Sequence, residues 1–254
     1  MADEALTGRT RLRLVPAALA LGVVALQIGY PLAHGDARDA LTVLIVAGLA
    51  ATCLVHAAVT RGIPTAVWLF VLTALPGWAV EALGVHTAFP FGSYAYSDDL
   101  GPRPLGAPLL IGLAWTMLAW PAALAARRLV RSRPARILVG AWALASADLF
   151  LDPQQVAAGH WTWRFRSPHL PGVPDVPLTN YAGWLLVALV LSAGVEAIAG
   201  DGDDAVMTAV YLWLYVGWIA ALAGFLDLAA AAGWGALGMG LVAVPLAVQW
   251  WRRR

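Results

Sequence analysis

Apolar stretches long enough to cross a membrane, separated by short polar segments, take up most of this 254-residue chain. A helix needs about 20 mainly apolar residues to traverse roughly 30 Å of hydrocarbon. The stretches run over 15–33, 40–59, 64–85, 106–126, 135–151, 181–199, 205–226 and 232–250. The expected fold is all-α, a polytopic transmembrane helix bundle of about eight spans that forms a single integral membrane domain over 1–254. Only 12% of the residues are charged and 61% are hydrophobic, against about 25% charged in soluble domains. With a mean hydropathy of +0.73, a soluble fold is excluded. Arg9, Arg11 and Arg13 precede the first stretch as in a secretory signal, but that stretch is span-length and Leu32-Ala33-His34 offers no small-residue cleavage site. It is read as a span.

Arginine sets the orientation. Cytoplasmic loops collect basic residues, and here they fall at the N-terminus, at Arg61, at Arg127, Arg128, Arg131, Arg133 and Arg136, and at Arg252, Arg253 and Arg254. In an eight-span chain all four places share one side, so both termini are expected in the cytoplasm and the protein in the cell (inner) membrane. Asp201, Asp203 and Asp204 form an acidic turn on that side, read as solvated. The long loops 86–105 and 152–180 then lie outside, near Glu81, Asp148, Asp152 and Asp227. An ionisable side chain within a span costs at least a few kcal/mol unless it faces a cavity or a partner. The clustering therefore points to a polar pocket at the outer end, although Asp152 and Asp227 taken singly are equally well explained at the water interface.

Several chemistries are excluded. The net charge of +1 leaves no nucleic-acid footprint, and the single Cys53 can form neither an internal disulfide nor a paired-thiol metal site. Gly233-Trp234-Gly235-Ala236-Leu237-Gly238 matches a dinucleotide fingerprint but lies in an apolar span with no preceding strand, and is better read as small residues for helix packing. His34, His56, His86, His160 and His169 include no pair at helical spacing, and no DDxxD run follows Asp98-Asp99 or Asp203-Asp204. No metal site and no cofactor are expected. Tyr211, Tyr215 and Trp218 form a helical stripe read as packing or lipid-facing, and Gln27 and His56 as bonds between helices.

An internal duplication carries the chemistry. Glu81 is followed eleven residues later by Gly92-Ser93-Tyr94-Ala95-Tyr96, and Asp148 eleven residues later by Gly159-His160-Trp161-Thr162-Trp163. Pro108-Leu109 precedes Trp115 by the interval that separates Pro177-Leu178 from Trp184. Both copies start on helices running outward, which makes them parallel repeats of helix, loop and helix. In extended chain, aromatics at alternate positions face one side, so two carboxylates and two aromatic pairs are expected around one mouth.

The same residues carry a family resemblance. Glu81-Ala82-Leu83-Gly84-Val85, Phe91-Gly92-Ser93-Tyr94-Ala95-Tyr96, Gly106-Ala107-Pro108 with Trp115, Asp148 with Asp152-Pro153, Gly159-His160-Trp161-Thr162-Trp163, and Val176-Pro177-Leu178-Thr179-Asn180-Tyr181-Ala182-Gly183-Trp184 together resemble the membrane carotenoid biosynthesis proteins, which include bisanhydrobacterioruberin hydratases and γ-carotene 1',2'-hydratases. The similar core spans 77–184 and holds both repeat copies. The resemblance implies cofactor-free hydration of a carotenoid end group, with a lycopene-like or C50 polyene as substrate and membrane lipid as surroundings. Expected catalytic residues are Glu81, Asp148 and Asp152, with Glu81 and Asp148 acting as a pair. Tyr94, Tyr96, Trp115, Trp161, Trp163, Asn180 and Trp184 are expected to bind substrate. A carotene cyclase begins with the same protonation, and a non-catalytic carotenoid or lipid carrier or transporter is the reading from another class. Reporter fusions at Arg131 and Ser167 should report opposite sides of the membrane; identical readings would overturn the orientation.

Overall fold

The computed structural model describes residues 2–252, with side chains from residue 14 onward. The side chains of Arg9, Arg11 and Arg13, and all of Arg253 and Arg254, lie outside the described residues. Among the described residues eight helices are long and apolar enough to cross a membrane, as the hydropathy pattern predicts. In chain order they are α1 (Ala2–Gly29), α2 (Asp36–Arg61), α3 (Ile63–Thr87), α4 (Leu109–Leu129), the pair α5 (Arg133–Ala145) and α6 (Asp148–Ala157) acting as one span, α7 (Leu178–Ile198), α8 (Ala205–Gly224) and α9 (Ala229–Arg252). Hydrocarbon offers backbone groups no partner, so each span pairs its own amides internally. Leu21, Val190, Leu237 and Leu241 stand exposed on the outer surface of the bundle, where lipid rather than water would meet them.

Helix α4 is the axis of the molecule, 89% buried over its most apolar stretch and packed against α2, α3, α5, α7, α8 and α9. Trp115 and Trp120 on it are fully buried. At the arginine-bearing end, Arg61 pairs with Asp204 at 2.6 Å, and Glu196 takes Arg127 at 2.6 Å and Arg136 at 3.2 Å. Asp204 is thus not part of a solvated turn, as the sequence reading has it. It is buried because Arg61, at the end of α2, supplies the counter-charge that lets a carboxylate leave water. Asp201 and Asp203 remain exposed.

The lone polar residues bond between helices: Gln27 accepts from the Trp213 indole at 2.8 Å, and His56 Nδ1 accepts from Trp120 at 3.1 Å. The Tyr211 and Tyr215 hydroxyls point at backbone carbonyls of neighbouring helices. Gly235 and Gly238 of the glycine-rich run lie against Phe150 and Leu149, so closely that any Cβ there would overlap them. That is the packing role expected of small residues in a membrane helix.

The fifth span departs from a single helix. At Ser146 and Ala147 the chain tightens, with Ala147 N–H donating to Leu144 C=O three residues back at 3.2 Å. The helix then restarts at Asp148 and continues to Ala157, past the boundary at 151 that the sequence suggests. Asp152 therefore sits on helix, one turn after Asp148 and on the same face.

The loops at the arginine-poor end hold short strands. β1 (Tyr94–Tyr96) follows α3, β2 (Trp161–Trp163) follows α6, and β3 (His169–Leu170) with β4 (Val173–Pro177) leads into α7. β1 and β2 pair antiparallel, Tyr94 opposite Trp163, Ala95 opposite Thr162 and Tyr96 opposite Trp161. Flanking bonds repeat the symmetry, Ser97 N–H donating to His160 C=O and Arg164 N–H to Ser93 C=O, both at 2.8 Å. These four residues are equivalent across the two sequence copies, so an approximate two-fold axis passes between Ala95 and Thr162. Gly92 and Gly159, one at each entry, both take positive φ, 92° and 86°, a conformation that costs glycine nothing.

Close approach of α3 to α4 depends on Gly77, where a Cβ would lie 2.5 Å from the Trp115 ring. Alanine would gain about 1 kcal/mol of helix propensity, but overpacking costs about 1–3 kcal/mol, and Trp115 is held too firmly to swing aside. Gly77→Ala should lower the melting temperature in detergent, while Gly22→Ala, which meets nothing within 4 Å, should leave it unchanged or slightly raised.

Candidate active site

The β1 and β2 ladder places all four alternate aromatics on its inner face. Tyr94, Tyr96, Trp161 and Trp163 are buried, whereas Ala95 and Thr162 face outward. The two pairs interlock. Tyr96 meets Trp161 edge-on with ring centroids 5.4 Å apart, and Tyr94 meets Trp163 at 5.7 Å. Trp163 N–H is bound by Phe91 C=O at 3.0 Å, which fixes its ring. Below them Trp115 of α4 and Trp184 of α7, equivalent in the two copies, stack at 4.0 Å and 24°.

Glu81 lies under this lid, 4% exposed, near the end of α3. Its Oε2 accepts from Tyr94 at 2.5 Å and Tyr96 at 2.8 Å, and its Oε1 from the Trp115 indole at 3.3 Å. Burial, followed by the field of the adjacent carboxylate, pushes both phenols well above the usual tyrosine range. They therefore remain O–H donors at any physiological pH. Three donors, two phenols and an indole N–H, thus converge on this one carboxyl group.

The second carboxyl group is a pair. Asp148 is fully buried and Asp152 is 2% exposed, and the Asn180 amide at the start of α7 donates to both, at 2.8 Å to Asp148 and more closely to Asp152. The two carboxyls interact directly, and Trp161 stands beside Asp152. Three polar atoms among the described residues are buried with no hydrogen-bond partner, and two of them are Asp148 Oδ1 and the Tyr181 hydroxyl, neighbours on this side of the site.

Between the two halves lies a cavity lined by Glu81, Tyr94, Tyr96, Trp115, Asp152, Trp161, Trp163, Asn180 and Trp184, together with Phe91, Ile111, Ala114 and Leu151. Its free volume of ≈ 20 Å³ is room for about one water molecule. All the residues singled out from sequence line it except Asp148. Asp148 does not reach the cavity and bonds to Asn180 beside Asp152, one helical turn before it. The group that shares the cavity with Glu81 is therefore Asp152. Arg103 is bound to Asp98 and the Tyr96 carbonyl and not to Glu81. Asp227 is exposed. Phe91 opens a quoted motif without being singled out, and Ile111, Ala114 and Leu151 give no sequence signal, being apolar residues in an apolar chain. Tyr181 stands beside Asn180 in a quoted motif, yet nothing in spacing marks its hydroxyl as buried. Among the described residues no three His, Cys, Asp or Glu side chains form a metal-binding group.

The family whose description is "carotenoid biosynthesis protein" matches residues 40–247 by its sequence model. Over 121 residues the chain is 36% identical to a bisanhydrobacterioruberin hydratase from Haloarcula japonica. That alignment covers 46% of this chain and 40% of the relative, so the chain spans less than half the length of the curated protein it matches. No solved structure matches the chain.

Proposed function

The chain belongs to the family of carotenoid biosynthesis proteins, and from that membership we propose that it is a carotenoid hydratase, adding water to the terminal 1,2 double bond of a linear or monocyclic carotenoid. The observation that supports this reading best is the unequal supply of hydrogen-bond donors to the buried acids. Glu81 receives three donors for one carboxyl group, whereas Asp148 and Asp152 have the shared Asn180 amide and the Trp161 indole at Asp152, two donors between two carboxyl groups. Two carboxyls side by side with so few donors are completed by a proton held between them. The site then presents an acid on one wall of the cavity and a carboxylate on the other.

Hydration needs that combination. The Asp152 carboxyl gives its proton to the CH carbon of the terminal trisubstituted double bond, and the π pair forms the new C–H bond. The adjoining carbon becomes a tertiary cation. Glu81 balances that charge across the cavity, and the faces of Tyr94, Tyr96, Trp161 and Trp163 add cation–π attraction worth about 2 kcal/mol or more when desolvated. Water oriented by Glu81 forms the C–O bond, and its surplus proton passes to Glu81 and back to the aspartate pair, leaving a tertiary alcohol. Asp148 is a positioning residue that holds Asp152 and shares its proton. No electrons are exchanged and every atom comes from substrate and water, so the reaction calls for no redox cofactor or metal. In this reading the arginine-bearing ends and both termini face the cytoplasm, and the site opens toward the outer leaflet.

Expression in a lycopene-accumulating bacterium tests the proposal. Pigments should gain the mass of one water. Asp152→Asn and Glu81→Gln proteins should fold and lose turnover by about 10²-fold or more, as removal of a general acid or base does. Pigment of unchanged mass with a shortened chromophore would instead mean cyclisation, and unaltered pigment would mean a carrier.

A further inference from the structure

The acid-lined cavity is too small for a carotenoid end group, and a larger one lies directly beside it. At the same end of the bundle, helices α1, α2 and α8 enclose an apolar cavity of ≈ 300 Å³, bounded by Tyr30, Val46, Met117, Leu151, Gly217 and Trp218 among others. This is the size of a small-molecule site, about 300–1,000 Å³. Leu151, on the helical turn between Asp148 and Asp152, lines both spaces. It is the residue that the two linings have in common. Ile28, Leu32 and Phe225 on the rim are 59%, 68% and 63% exposed, so the chamber opens to the surface among apolar side chains at the ends of α1 and α8.

The lining is not uniformly greasy. Trp213 and Trp218, which line it, have their indole N–H groups bound by Gln27 and Gln154 at 2.8 and 2.9 Å. The Tyr30 hydroxyl is different. Tyr30 is 5% exposed, and its oxygen is the third buried polar atom with no hydrogen-bond partner among the described residues. An unpaired buried hydroxyl costs about 1–3 kcal/mol, and a ligand bearing an oxygen at that depth would relieve it.

We propose that this chamber is the polyene entry site. The end of an unsaturated hydrocarbon chain enters laterally from the membrane between α1 and α8, and a rotation of Leu151 admits its terminal double bond to Asp152. The product's tertiary hydroxyl pairs with Tyr30 as it withdraws. The identity of the occupant rests on the hydratase reading, whereas the location rests on the cavity, the shared Leu151 and the unpaired hydroxyl.

Gly217 allows a direct test, because a Cβ there makes only ordinary contact with Trp213, at 3.5 Å. A larger side chain fills the chamber from a position that tolerates it. Lycopene bound to purified protein in detergent, read by its visible absorbance, should fall at least tenfold in Gly217→Leu with the melting temperature unchanged, and should be retained in Asp152→Asn. Ala221→Leu, one turn on, fills the same space should Gly217→Leu fail to fold. Leu151→Phe should hold pigment yet leave it unconverted, and Tyr30→Phe should weaken binding of the hydroxylated product and spare that of lycopene. Wild-type binding and turnover in both filled variants would overturn the proposal, as would a chamber that keeps a phospholipid acyl chain against excess lycopene. Binding that is sensitive to Gly217→Leu but never followed by hydration would instead defeat the hydratase reading and leave the entry site standing.

Discussion

Three carboxyl groups buried inside a membrane bundle are the constraint around which this end of the molecule is organised. An ion taken out of water without partners costs several kcal/mol after relaxation, and a membrane protein keeps such groups only where they face a cavity or each other. Glu81 is made tolerable by Tyr94, Tyr96 and Trp115, and the aspartates by Asn180 and one another. The loops exist in their observed form because they deliver those donors. A two-stranded ladder of three residues a side has little stability alone, and it holds here because its inner face is four aromatic rings seated on the helix ends.

The approximate two-fold symmetry explains how one site acquires two unlike halves. Equivalent positions supply Glu81 and Asp148, Gly92 and Gly159, and the stacked Trp115 and Trp184. The copies then diverge. In the first, phenols crown a single glutamate. In the second, indoles occupy the same places, the helix breaks before Asp148, and Asp152 with Asn180 takes over the polar wall. Of the two indoles at β2 only Trp161 serves the aspartates, since Trp163 spends its N–H on Phe91. In the proposed mechanism, that difference between the two copies is what sets an acid on one wall and a base on the other.

Much of this is legible in the sequence, for physical reasons. Spans are visible because hydrocarbon admits little else, and the membrane carotenoid biosynthesis family is visible because polar residues in such a chain are few and therefore informative. The alternation Tyr94-Ala95-Tyr96 and Trp161-Thr162-Trp163 predicts one buried face, and both triplets show it. The break at Ser146 and Ala147 is not legible, because it depends on neighbours rather than on a proline or glycine. Spacing alone makes Asp148 and Glu81 the natural pair, whereas in the structure Asp152 lines the cavity with Glu81. Asp204 is misplaced in water for a similar reason, since Arg61 reaches it across 143 residues of sequence. The apolar chamber has no signature at all. Leucine and glycine that line a cavity read no differently from those that fill a core.

The central claim concerns where the proton resides, on the aspartate pair and not on Glu81. Infrared spectroscopy of the purified protein measures it directly, through the carbonyl stretch of a protonated buried carboxyl group and its shift in D2O. The expected result is a band that disappears in Asp152→Asn and persists in Glu81→Gln. A band that persists in Asp152→Asn and disappears in Glu81→Gln would place the proton on the other wall and contradict the assignment of acid and base.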